Sequence, residues 1–368
     1  MGKLTVQLPT MQYDVHIGED VYDLFSSDYK GLLNSADRVA IIADEQAADL
    51  HLPVLLDALR KVDIDPLVKI VPPGEKCKTQ EVYFECQSYL VRENFTRNSL
   101  LIAFGGGACG DLTGFVAATY MRGIKFVQCP TTILAHDSAV GGKTAINLPE
   151  GKNMVGSFHQ PSAVLFNTKL LATLSPREIR SGMAELIKHA FISDAQWSES
   201  LLKEERFSNP AEEWLAKELL KGIQVKANIV AEDEYEHSTR KFLNFGHTFG
   251  HAVEAVCGFG GLSHGECVMI GMAYSFILSE YHGNMDASFT CRFIKFARRN
   301  GYSFAPILEH SFGSFLVFME KDKKAAFGEM NFVVLEKLGI PFVKKVSAEE
   351  CKQVFFELQK RIEMGERS

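Results

Sequence analysis

The chain has 368 residues, 46% of them hydrophobic, with 39 basic and 46 acidic side chains and a formal net charge of −7. That length exceeds one ordinary core and points to about two domains, with ample apolar material for both. The acidic balance excludes a phosphate-backbone binder, which needs a basic face, and no run of about 18 apolar residues is present to span a membrane. The opening segment, MGKLTVQLPTMQYDVHIG, lacks the apolar stretch of a secretion signal. The eight cysteines (Cys77, Cys86, Cys109, Cys129, Cys257, Cys267, Cys291 and Cys351) form no C-x-x-C pair, and scattered thiols suit a reducing cytosol. The expectation is a cytoplasmic protein with neither nucleic acid nor membrane as partner.

In chain order, DRVAIIADEQ (37–46) reads as a buried strand ending in acids, and PLVKIVPPGE (66–75) as a strand running into a Pro-Gly turn. SLLIAFGGGACGD (99–111) is a third strand, leading into a helix from Asp111 to about Tyr120. IKFVQCPTT (124–132) and SAVLFN (162–167) are two more. Strands alternating with helical patterns imply an α/β unit with a doubly wound, largely parallel sheet. After Ser175 the apolar period changes to that of helices, through PREIRSGMAELIKHAFI and AEEWLAKELLKGIQVKANIVAEDE to LNFGHTFGHAVEAV. The expected domains are therefore residues 1–174, α/β, and 175–368, all-α, with the helix start at TLSPRE marking the boundary.

Residues 105–110, GGGACG, satisfy G-x-G-x-x-G between a strand and a helix. Glycines there let backbone amides approach a pyrophosphate, which a helix N-terminus favours. The usual acid about 20 residues later is missing, because Arg122 occupies that neighbourhood, and Asp44 is the substitute candidate for the ribose contact. The competing reading is a tight strand-to-helix turn with no ligand.

Several cations stand in glycine or polar turns: Arg122 in YMRG, Lys143 in SAVGGKT, and Lys152 beside Asn153 in PEGKNMVG. Lys188 follows Glu185 by three residues, so the two share a helix face. Lys226, Arg240 and Asn244 complete the set, and Asp137 in AHDSAVGGK adds a carboxylate. Lone surface lysines are ordinarily only solvated. Grouped in turns beside a nucleotide site, these would suit a small ligand carrying phosphate and carboxylate. His247 and His251, four apart, share a helical face, and His264 follows in SHGE. Three neighbouring imidazoles suggest a divalent metal. The alternative is that one or more of them caps or packs a helix.

Taken in order, GGGACGDLTGFVAATYMRG, PTTILAHDSAVGGKTAINLPEGKNMVGSFHQP, SGMAELIKH and LNFGHTFGHAVE closely resemble the 3-dehydroquinate synthase family, over residues 37 to about 324. The resemblance implies an NAD-binding α/β domain, a helical domain carrying zinc or cobalt, and a homodimer. It implies Glu185, His247 and His264 as metal ligands and moves His251 to substrate contact or proton relay. Arg122, Asp137, Lys143, Asn153, Lys188, Lys226, Arg240, Asn244 and one of Lys323 and Lys324 match substrate positions, and the match implies that Lys152 and Arg240 line a solvated cleft. Asp44, Gly74, Glu75, Lys78, Gly106, Gly107, Ala108, Cys109, Gly110, Asp111, Thr131, Thr132, Lys152, Leu170, Leu171, Ala172 and Thr173 match NAD positions. The implied activity converts 3-deoxy-D-arabino-heptulosonate 7-phosphate, a phosphorylated sugar acid, to 3-dehydroquinate and phosphate with transient NAD redox. Related cyclases that make valiolone or inosose rings act on substrates without the carboxylate, and a plain polyol dehydrogenase would accumulate NADH. Asn167 stands where an acid is common, Cys109 replaces an apolar residue, and Cys77 is expected to make cofactor binding sensitive to oxidation.

Overall fold

The computed structural model describes residues 1–9, 11–258, 261–322 and 329–364. They form two compact units, one of Met1–Leu174 with Glu212–Tyr235, the other of Ser175–Ala211 with the chain from Glu236 onward. The expected single division at residue 174 is thereby corrected, since the chain changes unit again after Ala211 and after Tyr235. The reason lies in the helix Glu212–Glu232. Its inner face, Ile223, Ala227 and Val230, shares an apolar cluster with Leu4, Val6, Val15 and Val164 of the first unit. Helical periodicity shows that such a face exists but not which sheet it covers.

The first unit is built on a seven-stranded sheet of order β1-β2-β9-β6-β5-β3-β4. Its strands are β1 (Gly2–Gln7), β2 (Gln12–Gly18), β3 (Val39–Asp44), β4 (Leu67–Val71), β5 (Leu100–Gly105), β6 (Lys125–Pro130) and β9 (Ala163–Asn167). All neighbours run parallel except β1, which pairs antiparallel with β2. The five strands expected from apolar runs are all present. β3, β5 and β9 are buried at every position, as parallel strands covered on both faces must be. One face packs on the helix Glu45–Arg60 through Ala47, Leu55 and Leu59. The other packs on the helices Gln80–Arg92 and Gly107–Thr119 through Cys86, Leu90, Leu112 and Val116. An antiparallel hairpin, β7 (Lys143–Leu148) and β8 (Gly151–Phe158), forms a separate two-stranded sheet and carries Lys143, Lys152 and Asn153.

The second unit is helical and also holds one antiparallel hairpin, β10 (Glu329–Lys337) with β11 (Ile340–Ser347), which an all-α reading misses. Its axis is the helix His264–His282, buried almost all round. Glycines let neighbouring helices touch it by backbone. A Cβ on Gly271 would stand 1.8 Å from the Gly246 carbonyl oxygen, and one on Gly265 would stand 2.0 Å from that of Ser181. Phe191, Phe245, Phe276, Phe289 and Phe293 fill the adjoining core with edge-to-face contacts. No helix among the described residues is long and apolar enough to cross a membrane.

Candidate active site

Three chain segments of the second unit converge on one cluster. The helix Pro176–Ser193 starts at Ser175 with a capping box closed by Glu178 and presents Glu185 and Lys188, both almost fully buried. His247 opens the helix His247–Cys257 immediately after Gly246, whose φ of 81° suits glycine. His264 opens the next helix, behind a Ser263–Glu266 capping box. Glu185 Oε1 lies 3.2 Å from His264 Nε2 and 3.5 Å from His247 Nε2. Lys188 Nζ is 2.5 Å from Glu185 Oε2.

The ligand atoms of Glu185, His247 and His264 all fall within 4.8 Å of one another. Among the described residues this is the one group of His, Cys, Asp and Glu near enough to share an ion. Burial drives His247 well below the ordinary imidazole pKa, against the pull of Glu185, so its ring stays neutral and able to donate a lone pair. Burial also acts downward on His264, but hydrogen bonds to Glu185 and Glu254 outweigh it and raise that ring to about 9. One carboxylate and two imidazoles, converging from buried positions, fit a zinc-type divalent cation with open coordination positions. His251 lies beside them, its ring 5.3 Å from that of His247 and 5.9 Å from that of His264, but it is not one of the three residues whose ligand atoms meet within 4.8 Å. Helical spacing alone nominates His251 as the partner of His247, whereas the cluster brings Glu185 and His264 to it. The carboxylate it misses is far upstream in the chain, where no spacing rule reaches.

In the first unit, β5 ends at Gly105 and the helix begins at Gly107, earlier than the expected Asp111. Packing alone demands glycine here. A Cβ on Gly105 would meet Cys109 Cβ at 2.7 Å and Asp44 Cβ at 2.8 Å, and one on Gly107 would meet Ser138 Oγ at 2.6 Å. Asp44 ends β3 and caps the following helix, accepting from the amides of Gln46 and Ala47 at 3.0 and 3.2 Å. Its other oxygen accepts from the Gly74 amide at 2.9 Å, which ties down the 74–78 turn. Glu75 accepts from Asn147 Nδ2 at 2.8 Å, and Asn147 Oδ1 accepts from the Asn153 amide at 2.9 Å. Lys78 is 2% exposed. It pairs with Asp111 at 2.6 Å and donates to Asn153 Oδ1 at 2.5 Å. Burial raises the Asp111 pKa while Lys78 opposes the rise. Asn147 escaped the sequence reading although it joins Glu75 to Asn153, and its only signal was its place in INLPEGKN.

The Thr131 amide donates to the Gly105 carbonyl at 3.0 Å, and Thr132 packs on Gly106. Leu170, Leu171, Ala172 and Thr173 belong to the 3-10 turn Thr168–Thr173, capped by Asn167 Oδ1 on the Lys169 amide at 3.1 Å. That cap gives Asn167 a local role. Lys226 reaches Asp137 at 3.1 Å. Arg122 is exposed at φ 72°, after Met121 at φ 47°, and Lys143 is exposed. Asn244 donates to Glu236 at 2.9 Å.

Two expectations are corrected. Arg240 is 1% exposed and among the largest fully buried side chains, so it does not line a solvated cleft. Cys77 is fully buried, and burial holds its thiol far above the usual range, which makes it a poor target for oxidants. Cys109 is similar, pushed up to about 12 by burial. Lys323 and Lys324 lie outside the described residues.

The first unit thus has a parallel sheet with a glycine turn at its carboxyl end, and the second a carboxylate and two imidazoles close enough to share a metal ion. Residues 68–181 match the family described as 3-dehydroquinate synthase N-terminal and residues 182–325 that described as 3-dehydroquinate synthase C-terminal; the chain belongs to the 3-dehydroquinate synthase family. A 3-dehydroquinate synthase of Lysinibacillus sphaericus is 48% identical over 352 residues, covering 96% of each chain. One of Listeria monocytogenes is 42% identical over 365 residues, covering 98% of each. Among solved structures, the 2-epi-5-epi-valiolone synthase of Streptomyces hygroscopicus, with NAD+ and Zn2+ bound, superposes with a TM-score of 0.84 at 25% identity, over 96% of this chain and 99% of its own. A 2-deoxy-scyllo-inosose synthase has the same fold, with a TM-score of 0.84 at 24% identity over 97% of this chain and 99% of its own.

Proposed function

We propose that the chain converts 3-deoxy-D-arabino-heptulosonate 7-phosphate to 3-dehydroquinate and inorganic phosphate. The observation that carries this reading is the Glu185–His247–His264 cluster, in a chain of this family whose first unit has the nucleotide-type glycine turn. Those three residues would hold zinc or cobalt, which when bound supplies Lewis acidity toward the substrate's hydroxyls. The backbone of Gly106–Asp111, with Asp44, the Gly74–Lys78 turn, Thr131, Thr132, Lys152 and the 170–173 turn, would hold NAD, which removes a hydride and later returns it. No net redox results.

The chain's own residues supply orientation and charge. Lys188, against Glu185, neutralises a buried carboxylate and leaves its other oxygen for the cation. Asp137 and Lys226 hold one another in place. Arg122, Lys143, Asn153 and Asn244 would recognise phosphate and carboxylate through charge-assisted hydrogen bonds. His251, close to but outside the ligand set, would move a proton near neutral pH. Lys78 would act on the pocket through Asp111 and Asn153, because its ammonium is already held by both.

A cytoplasmic location rests on the scattered thiols, the absence of a nucleic-acid partner on the acidic charge, and a homodimer on family resemblance. The substrate is tested by offering the heptulosonate phosphate beside a phosphorylated heptulose lacking the carboxylate and identifying products by NMR. Dehydroquinate from the first and no ring from the second supports the reading. Cyclisation of the second alone would overturn it in favour of the valiolone type.

A further inference from the structure

His264 is held from two directions by groups that do not point at the cation. On its Nδ1 side, Glu254 Oε2 lies 3.4 Å away. Glu254 stands seven residues after His247 on the same helix, so His247, His251 and Glu254 share a face. With a carboxylate accepting from Nδ1–H, Nε2 is the nitrogen that faces Glu185 and His247 and would give up its proton to take a cation. His247 is fixed in the same sense, its Nδ1 lying 3.2 Å from the Phe245 carbonyl oxygen.

Behind the backbone of His264 lies a second support. Glu266 is 6% exposed. One oxygen accepts from the Ser263 amide and hydroxyl at 2.8 and 2.9 Å, closing the capping box around His264. The other accepts from Arg180 Nε and Nη2 at 3.0 and 2.9 Å. Arg180 belongs to the helix that bears Glu185, and its own carbonyl accepts from Tyr302 at 2.7 Å. Next to this pair Gly265 touches Ser181, its amide donating to Ser181 Oγ at 3.2 Å. The contact therefore sets the Glu185 helix against the start of the His264 helix.

We propose that Glu254 and the Arg180–Glu266 pair are positioning residues for the metal ligand His264, Glu254 fixing which ring nitrogen faces the cation and Arg180–Glu266 fixing where its helix begins. The inference rests on the metal-centre reading above. Groups that orient ligating imidazoles this way typically change metal affinity by about 10- to 100-fold when removed.

The test titrates the full chain with Zn2+ and Co2+ against a chromophoric chelator and records the Co2+ visible spectrum and the melting curve. Glu254→Leu and Arg180→Met remove the supports, whereas Glu254→Gln and Arg180→Lys retain an acceptor and a cation. The expected result is a loss of affinity of about tenfold or more and an altered Co2+ spectrum for the first two, with substantial recovery in the conservative pair. Affinities and spectra of the Leu and Met variants within about twofold of the parent would overturn the inference. If either fails to fold, Glu254→Ala or Arg180→Gln takes its place, and parental affinity and spectrum in that folded variant count against the inference. His247→Ala runs alongside. Metal retained there would undo the metal centre itself rather than the role of its supports.

Discussion

Gly271→Ala adds one methyl group where the His264–His282 helix crosses the His247–Cys257 helix. The new Cβ would stand 1.8 Å from the Gly246 carbonyl oxygen and 2.8 Å from both Gly246 C and the Gly250 amide nitrogen. Reaching the 3.0 Å that real Cβ contacts respect requires the two backbones to part by about 1.2 Å. Overpacking of a core ordinarily costs about 1–3 kcal/mol. Here the obstacle is a main-chain carbonyl that cannot rotate aside, so the upper end applies, about 3 kcal/mol. At roughly 2–4 °C per kcal/mol for a domain of 150–250 residues, the melting midpoint should fall by roughly 6–12 °C. His247 directly follows the displaced Gly246, so the purified variant should also carry less metal. Gly31→Ala is the control, since nothing lies within 4 Å of its Cβ and alanine is worth roughly 0.5–1 kcal/mol over glycine inside a helix. Circular-dichroism melts and metal analysis on both proteins decide the matter. A Gly271→Ala protein melting within about 2 °C of the parent, with parental metal content, would refute the reasoning.

Metal analysis of single histidine variants separates geometry from spacing: His247→Ala and His264→Ala should purify with little metal, while His251→Ala keeps it and loses most turnover. A metal-free His251→Ala beside a loaded His264→Ala would reverse the assignment. Maleimide on the native protein should label exposed Cys291 first and leave buried Cys77, Cys109 and Cys129 untouched until denaturant is added; rapid native labelling of Cys77 would contradict its burial. Burial lowers the His16 pKa, against the opposing pull of Asp14, so below the ordinary value of about 6.5 the unfolded chain takes up a proton that the folded one refuses. Stability from this group should therefore fall as pH drops from about 6.5 toward the folded pKa. His16→Gln should flatten urea-unfolding stability between pH 7 and 5, and an unchanged slope would assign the acid loss elsewhere.

The five parallel strands were legible because β3, β5 and β9 are apolar at both faces, a pattern that survives any tertiary context. β1 and β2 escaped notice because an edge pair mixes polar outward residues such as Lys3, Thr5 and Asp14 with its buried ones. The start of the Gly107 helix was displaced because glycines read as loop when their reason is close packing. In the site, the chemistry of Glu185, His247 and His264 could be named from motif resemblance, whereas spacing favoured His247 with His251. The division of the chain was misjudged at the Glu212–Glu232 helix, whose amphipathic face fits either unit until the β1–β2 surface is seen. Burial was the least legible quantity: Arg240 reads as a cleft-lining cation but is among the largest enclosed side chains.

The decisive property is the use of NAD by one enzyme without its consumption. Phosphate release and NADH absorbance, followed together on 3-deoxy-D-arabino-heptulosonate 7-phosphate with the metal-loaded chain, measure this. Phosphate should appear in step with dehydroquinate while NADH stays below one equivalent of enzyme throughout. NADH accumulating with each turnover, or oxidation without phosphate release, would mark a polyol dehydrogenase and contradict the account.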